Sequence, residues 1–153
     1  MTVKVNIKRL HPDAVVPFKK HDSDFCYDLV AVSCKEIAPD VYKYGLGFSL
    51  QVDRNEKAAN LSAHERIAFD IRPRSSVWET GMVLSNCQGT VDDDYTGEIS
   101  MVFYHVMKSM PIYKVGDRIG QLKIGFTTAL EFTEVDSLEK TIRGDGAYGS
   151  TGI

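Results

Sequence analysis

At 153 residues, 43% hydrophobic and 25% charged with a formal charge of −3, the chain suits one domain with a real core, and no shift in composition marks a linker. Its lysines and arginines are scattered and form no basic stripe or patch interleaved with aromatics. That argues against nucleic acid as a direct partner and places any bound phosphate on a small molecule. No apolar run is long enough for a secretory signal or a membrane span, so a soluble protein, cytoplasmic or otherwise intracellular, is expected.

In chain order, short apolar runs stand at Val3 to Ile7, Leu29 to Val32, Leu46 to Val52, Ile67 to Ile71, Met82 to Leu84, Ile99 to Met107, Arg118 to Ile124 and Leu130 to Val135. They are too short for ordinary helices and are separated by turn residues, which predicts an all-β barrel or sandwich. Polar residues with interleaved alanines from Asn55 to Arg66 read as an insertion between strands. One helix of a turn or two is expected at Ser76-Val77-Trp78-Glu79, which has capping-box spacing, with Gly81 at its stop. Just before it, Arg72-Pro73-Arg74-Ser75 should bring two guanidinium groups and hydroxyls onto a helix start whose free amides favour an anion.

The segment Thr90-Val91-Asp92-Asp93-Asp94-Tyr95-Thr96-Gly97-Glu98-Ile99 holds three consecutive acids between apolar runs. A tight hairpin-like turn is expected there, with Gly97 supplying its backbone shape. Asp92, Asp94, Thr96 and Gly97 match the opening of an EF-hand loop, but the twelfth position is Phe103 instead of Glu, and the flanks alternate as strands. Calcium is thereby excluded. A carboxylate fixed on a rigid turn suits a general base or a group in a metal's outer shell.

The tail from Arg143 to Gly152 contains Gly-x-Gly-x-x-Gly, yet no strand and helix frame it as a dinucleotide fold demands, and no Lys follows as a P-loop demands. An arm rich in backbone amides and hydroxyls can still close over a phosphorylated ligand. Cys26, Cys34 and Cys87 are odd in number with no Cys-x-x-Cys spacing, so they are expected to be reduced and partly buried. His11, His21, His64 and His105 are dispersed; a metal would arrive with substrate or through carboxylates, and His105 reads as packed.

Taken together, these segments resemble the trimeric-type dUTPase family, whose five motifs appear in order. Tyr27-Asp28-Leu29-Val30-Ala31 resembles the first, Pro73-Arg74-Ser75-Ser76 the second, Asn86 through Glu98 the third, Gly116 through Leu122 the fourth and Arg143 through Gly152 the fifth. The resemblance implies a distorted jelly-roll β-barrel over residues 1–142, a mobile C-terminal arm over 143–153, and a homotrimer with shared active sites. It implies hydrolysis of dUTP to dUMP and pyrophosphate, assisted by Mg2+, which limits uracil entry into DNA and supplies dUMP for thymidylate synthesis. A dCTP deaminase of the same fold and a regulatory protein-binding module are the alternatives; the Asp-Asp-Asp-Tyr segment and the short Gly-Ser-Thr-Gly arm argue against the deaminase.

By the same resemblance, Asp92 is the general base on the attacking water and Tyr95 packs beneath the deoxyribose. Asn86 and the main chain at Gly89 and Val91 take the uracil edge. Arg74, Ser75, Ser76 and Gln121 hold phosphates, and Asp28 holds magnesium through water. From the arm, Arg143, Ser150 and Thr151, with Gly149 beside them, reach the γ-phosphate, and Tyr148 stacks on uracil. Asp117 and Arg118 are expected to be scaffold residues. Phe25-Cys26 before the first motif, Thr90 in the third and Ala147-Tyr148 in the arm depart from the family pattern.

Overall fold

The computed structural model describes residues 3–53, 65–92 and 94–146. Among them are ten strands: β1 (Val5–Arg9), β2 (Tyr27–Val30), β3 (Ser33–Ala38), β4 (Val41–Gly45), β5 (Phe48–Val52), β6 (Glu65–Pro73), β7 (Met82–Leu84), β8 (Gly89–Asp92), β9 (Ser100–His105) and β10 (Arg118–Thr128). They form a β1-β5 ribbon and two four-stranded sheets ordered β2-β10-β6-β8 and β3-β4-β9-β7. Every pairing between named strands is antiparallel. Most neighbours are distant in sequence, because the chain passes repeatedly from one sheet to the other. The result is the all-β class that the spacing of short strands anticipates, and it is consistent with the jelly roll that the family resemblance implies.

Alternation builds the core. In β9, Met101 and Phe103 point inward at 2% and 0% exposure while Tyr104 faces out at 47%, as a period of two requires. β5 buries Phe48, Ser49 and Leu50 in succession, so it lies beneath other layers on both faces. Tyr44, Phe103 and Tyr113 pack edge to face, with ring centroids 5.4 to 6.3 Å apart, the arrangement their quadrupoles favour. The Tyr44 hydroxyl donates to the Tyr113 carbonyl at 2.9 Å, satisfying the polar end of a fully buried ring; burial pushes its pKa well above the ordinary phenol value.

Several expectations are corrected. Leu130 to Val135 is not a strand: residues 129–146 contain neither strand nor helix, and Leu130 and Phe132 are 74% and 88% exposed. Apolar spacing alone does not make a strand when no edge of the described chain pairs with it. Met107 lies beyond β9 and is exposed, since the chain turns with the Met110 amide donating to the Met107 carbonyl. β3 and β4 escape the apolar pattern because all six residues of β3 are exposed; its ladder with β4 holds it in place. Of the Asn55 to Arg66 excursion, residues 55–64 lie outside the described residues, and β6 begins at Glu65.

The helix is 3₁₀, Ser75–Glu79, with Arg74 in the cap position and no side-chain cap bond, so the capping box does not form. The acidic segment is a crossing and not a hairpin. β7 pairs with β9, whereas β8 lies in the other sheet beside β6. Cys26 is partly buried, but Cys34 and Cys87 are exposed; all three are free. His105 packs as expected, its Nε2 3.0 Å from the Met110 carbonyl and its ring against Tyr42.

Because Phe103 is fully enclosed between the sheets, Phe103→Ala should cost about 3–5 kcal/mol of stability. Urea unfolding at fixed protein concentration measures the loss, and a change under about 1 kcal/mol would show that the ring does not anchor the core.

Candidate active site

Two polar clusters lie on the β2-β10-β6-β8 sheet. The first is centred on Asp28, whose relative exposure is only 6%. Register sets Gln121 of β10 opposite Asp28, and Arg74 follows directly where β6 ends. Asp28 Oδ1 accepts from Arg74 Nε and Gln121 Nε2, each at 3.2 Å, and Oδ2 accepts from Arg118 Nη1 at 2.8 Å. Burial alone would raise the carboxyl's pKa. The hydrogen bonds from Gln121 and Arg118, with the charges of Arg74 and Arg118, outweigh it and hold the pKa below the ordinary value. Arg74 also donates to Ser76 Oγ at 3.2 Å. The cluster opens into a cavity of about 360 Å³, where Lys20, His21 and Asp24 join the rim.

Arg72 and Arg74 do not converge, contrary to the sequence expectation. Two residues apart around Pro73, they reach to opposite sides of β6: Arg74 toward β2, and Arg72 toward Gln88 at 3.0 Å. Arg118 proves to be Asp28's close ion partner, whereas Asp117 accepts the Lys114 amide at 2.7 Å. Both fit the scaffold reading. The loop from Lys20 to Cys26 escaped sequence reasoning as part of this cavity, since nothing in its spacing marks it.

The second cluster sits at the end of β8. Val91, Asp92 and Tyr95 line a cavity of about 230 Å³. The Tyr95 amide donates to the Asp92 carbonyl at 3.2 Å, which closes the turn and brings ring and carboxylate together. Tyr95 Oη donates to the Glu98 carbonyl at 3.2 Å. Gly97 is needed for close approach instead of an unusual φ: a Cβ there would lie 2.6 Å from Tyr95 Cζ. Glu98 ties this turn to the connection between β4 and β5 by accepting the Gly47 amide at 2.9 Å. Asn86 and Gly89 adjoin, a Cβ on Gly89 falling 3.1 Å from Asn86 Nδ2.

The two clusters are far apart within one chain. Gln121 stands opposite Arg72, and Asp92 opposite Ala68, so Asp92 is four positions along β6 from the Asp28 row and three strands across. Measured along the sheet this is roughly 13 Å by ~14 Å. Arg143 lies farther down the chain on exposed backbone, its Nε donating to the Gly146 carbonyl at 3.0 Å. Tyr148, Gly149, Ser150 and Thr151, with Asp93 of the acidic segment, lie outside the described residues.

A family model described as dUTPase matches residues 14–152. This chain belongs to the dUTPase family. It is 34% identical over 151 residues to the deoxyuridine 5'-triphosphate nucleotidohydrolase of Wolinella succinogenes, covering 98% of this chain and 95% of that protein. Its fold is that of a Staphylococcus bacteriophage 80alpha dUTPase mutant solved with dUpNHpp, with a TM-score of 0.77 at 18% identity over 98% of this chain and 99% of that one. A mutant dUTPase from phage phi11 of S. aureus, whose structure is described as showing the coordination of a structural Mg(II) ion, gives 0.67 at 16% identity over 90% and 99%.

Asp28 is the group that the sequence expectation assigns to magnesium through water. No group of three or more His, Cys, Asp or Glu side chains positioned to hold a metal occurs among the described residues. Asp28 has three donors on a carboxylate able to accept about four, which leaves Oδ2 room for one metal-bound water. That is the outer-shell mode a strongly hydrated cation favours.

The depressed pKa of Asp28 sets the sign of its pH effect. Its stabilisation is fully present above the unfolded value of about 3.9 and is lost as pH falls through the lower folded value. The stability gap between wild type and Asp28→Asn should therefore shrink on acidification below about pH 4. Urea unfolding at stepped pH reads this, and a gap independent of pH would exclude the assignment.

Proposed function

We propose that the chain hydrolyses dUTP to dUMP and pyrophosphate by attack of water on the α-phosphorus, in a homotrimer whose sites are assembled between subunits. The observation carrying this reading is the pair of intact but separated half-sites on one sheet, in a member of the dUTPase family. A general base must stand within ~3 Å of the proton it takes. Asp92 is too far along the sheet to serve a phosphate held by Arg74 and Gln121 of its own chain, so a second copy must bring its Asp92 to them.

In this reading Arg74, Ser75, Ser76 and Gln121 bind the phosphates, with Asp28 holding the Arg74 guanidinium in place. Arg74 also moderates the charge that builds on the leaving pyrophosphate, and this electrostatic help is the larger part of phosphoryl transfer. Asp28 would hold magnesium through water, and the bound ion would supply charge neutralisation on the phosphates. The partner chain's turn presents Asp92 to orient the attacking water and take its proton. Tyr95, its ring fixed by Gly97 and the Glu98 carbonyl, forms the floor under a deoxyribose and leaves no room for a 2′-hydroxyl. Asn86 and the main chain of Gly89 and Val91 read the uracil edge, and cytosine would leave buried groups unpaired. The arm from residue 143 onward, with Arg143, Tyr148, Gly149, Ser150 and Thr151, closes over the nucleotide and excludes bulk water. The activity limits uracil entry into DNA and yields dUMP for thymidylate synthesis.

Asp92→Asn should preserve dUTP binding and lower kcat by about 10²–10⁴-fold; undiminished turnover removes Asp92 from the mechanism. Arg74→Ala should also be inactive alone. When the two variants are refolded together, mixed trimers contain sites with an intact Arg74 from one chain and an intact Asp92 from another, and dUTP hydrolysis should reappear. Mixed assemblies confirmed by native mass spectrometry but lacking activity would refute the shared site.

A further inference from the structure

The loop proposed to read uracil is strained. Cys87 has φ 57°, a left-handed conformation uncommon for any residue but glycine. The Gln88 amide donates back to the Asn86 carbonyl around it, closing a three-residue turn of the rarer, strained hand. Such backbone persists only where its surroundings over-determine it. On one side the Cys87 amide donates to the Leu84 carbonyl at 3.2 Å. On the other, Arg72 Nη2 donates to Gln88 Oε1 at 3.0 Å. Gly89 then enters β8 beside Ile71, the residue before Arg72.

Arg72 makes its side-chain hydrogen bond outside the Asp28 cluster. It lies opposite Gln121, yet its guanidinium turns away from the Asp28 cluster. Its Nε is buried with no hydrogen-bond partner among the described residues, an arrangement that weakens folding instead of helping it. From these observations we infer that Arg72 is a positioning residue for base recognition. Through Gln88 it locks the strained Asn86–Gly89 turn and so sets the geometry of the groups facing uracil, without touching the nucleotide. The inference rests on the proposed uracil role of that turn.

The test uses the purified full chain with magnesium and compares wild type, Arg72→Leu, Gln88→Ala, Gln88→Glu and the Arg72→Leu/Gln88→Ala pair. Kd for dUMP and for pyrophosphate come from calorimetry, KM and kcat for dUTP from pyrophosphate release, and Tm from thermal melting. Loss of one charge-assisted hydrogen bond should raise Kd for dUMP and KM for dUTP about 3- to 10-fold in each single variant. The double variant should go no further, because both changes remove the same bond. Gln88→Glu keeps the acceptor and should remain close to wild type. Pyrophosphate affinity and kcat should hold, and Arg72→Leu should melt no lower than wild type, since a buried unpaired donor is gone.

Unchanged dUMP affinity in Arg72→Leu overturns the inference, as do additive effects in the double variant. An equal loss of pyrophosphate affinity overturns it too, by placing Arg72 on the phosphates. A wild type that neither binds dUMP nor hydrolyses dUTP would instead defeat the functional reading itself, so the two failures are distinguishable.

Discussion

The carboxylate of Asp28 is the joint on which this molecule depends. Three segments distant in sequence meet there: β2 supplies the acid, β10 supplies Arg118 and Gln121, and the exit from β6 supplies Arg74. A buried charge is tolerable only when nearly all its acceptor capacity is used, so the cluster fixes the mutual register of three strands as firmly as an apolar contact would. It also holds the Arg74 and Arg118 guanidinium groups in one arrangement. Preorganisation of that kind is what an electrostatic catalyst requires, because donors already aimed at a phosphate need not reorganise during the reaction.

The second half-site is preorganised by different means. Tyr95 is held by a carbonyl and by the missing side chain of Gly97, and Glu98 bolts the turn to the connection between β4 and β5. Neither device uses buried charge. The phosphate half is therefore an ionic construction and the sugar half a steric one, which suits the ligand portion proposed for each.

The sequence made the β class legible, because Met101, Phe103, Ile67, Phe69 and Ile71 alternate with outward residues as their strands demand. Arg74, Gln121 and Asp28 were each legible through motif resemblance, but the bonds joining them were not, since separations of 46 and more residues leave no local trace. β3 was missed because its six exposed residues carry no periodic signal, and Leu130 to Val135 was mistaken for a strand because it carries one without a partner. The capping-box pattern at Ser76 failed for a similar reason. Arg74 takes the hydroxyl that the cap would use, and tertiary demand overrides the local rule.

β3 forms the outer border of its sheet, with one ladder to β4 and, among the described residues, no strand on its other flank. Open borders invite the same border on another molecule, and runaway polymerisation is the hazard. Here the border carries Lys35 and Glu36, and its register with β4 shifts between Glu36 and Ala38, so neither the charge pattern nor the hydrogen-bond spacing offers a clean template. The charged and shifted border thus discourages strand-to-strand joining between molecules, and the plainest strand in the molecule guards against fibres.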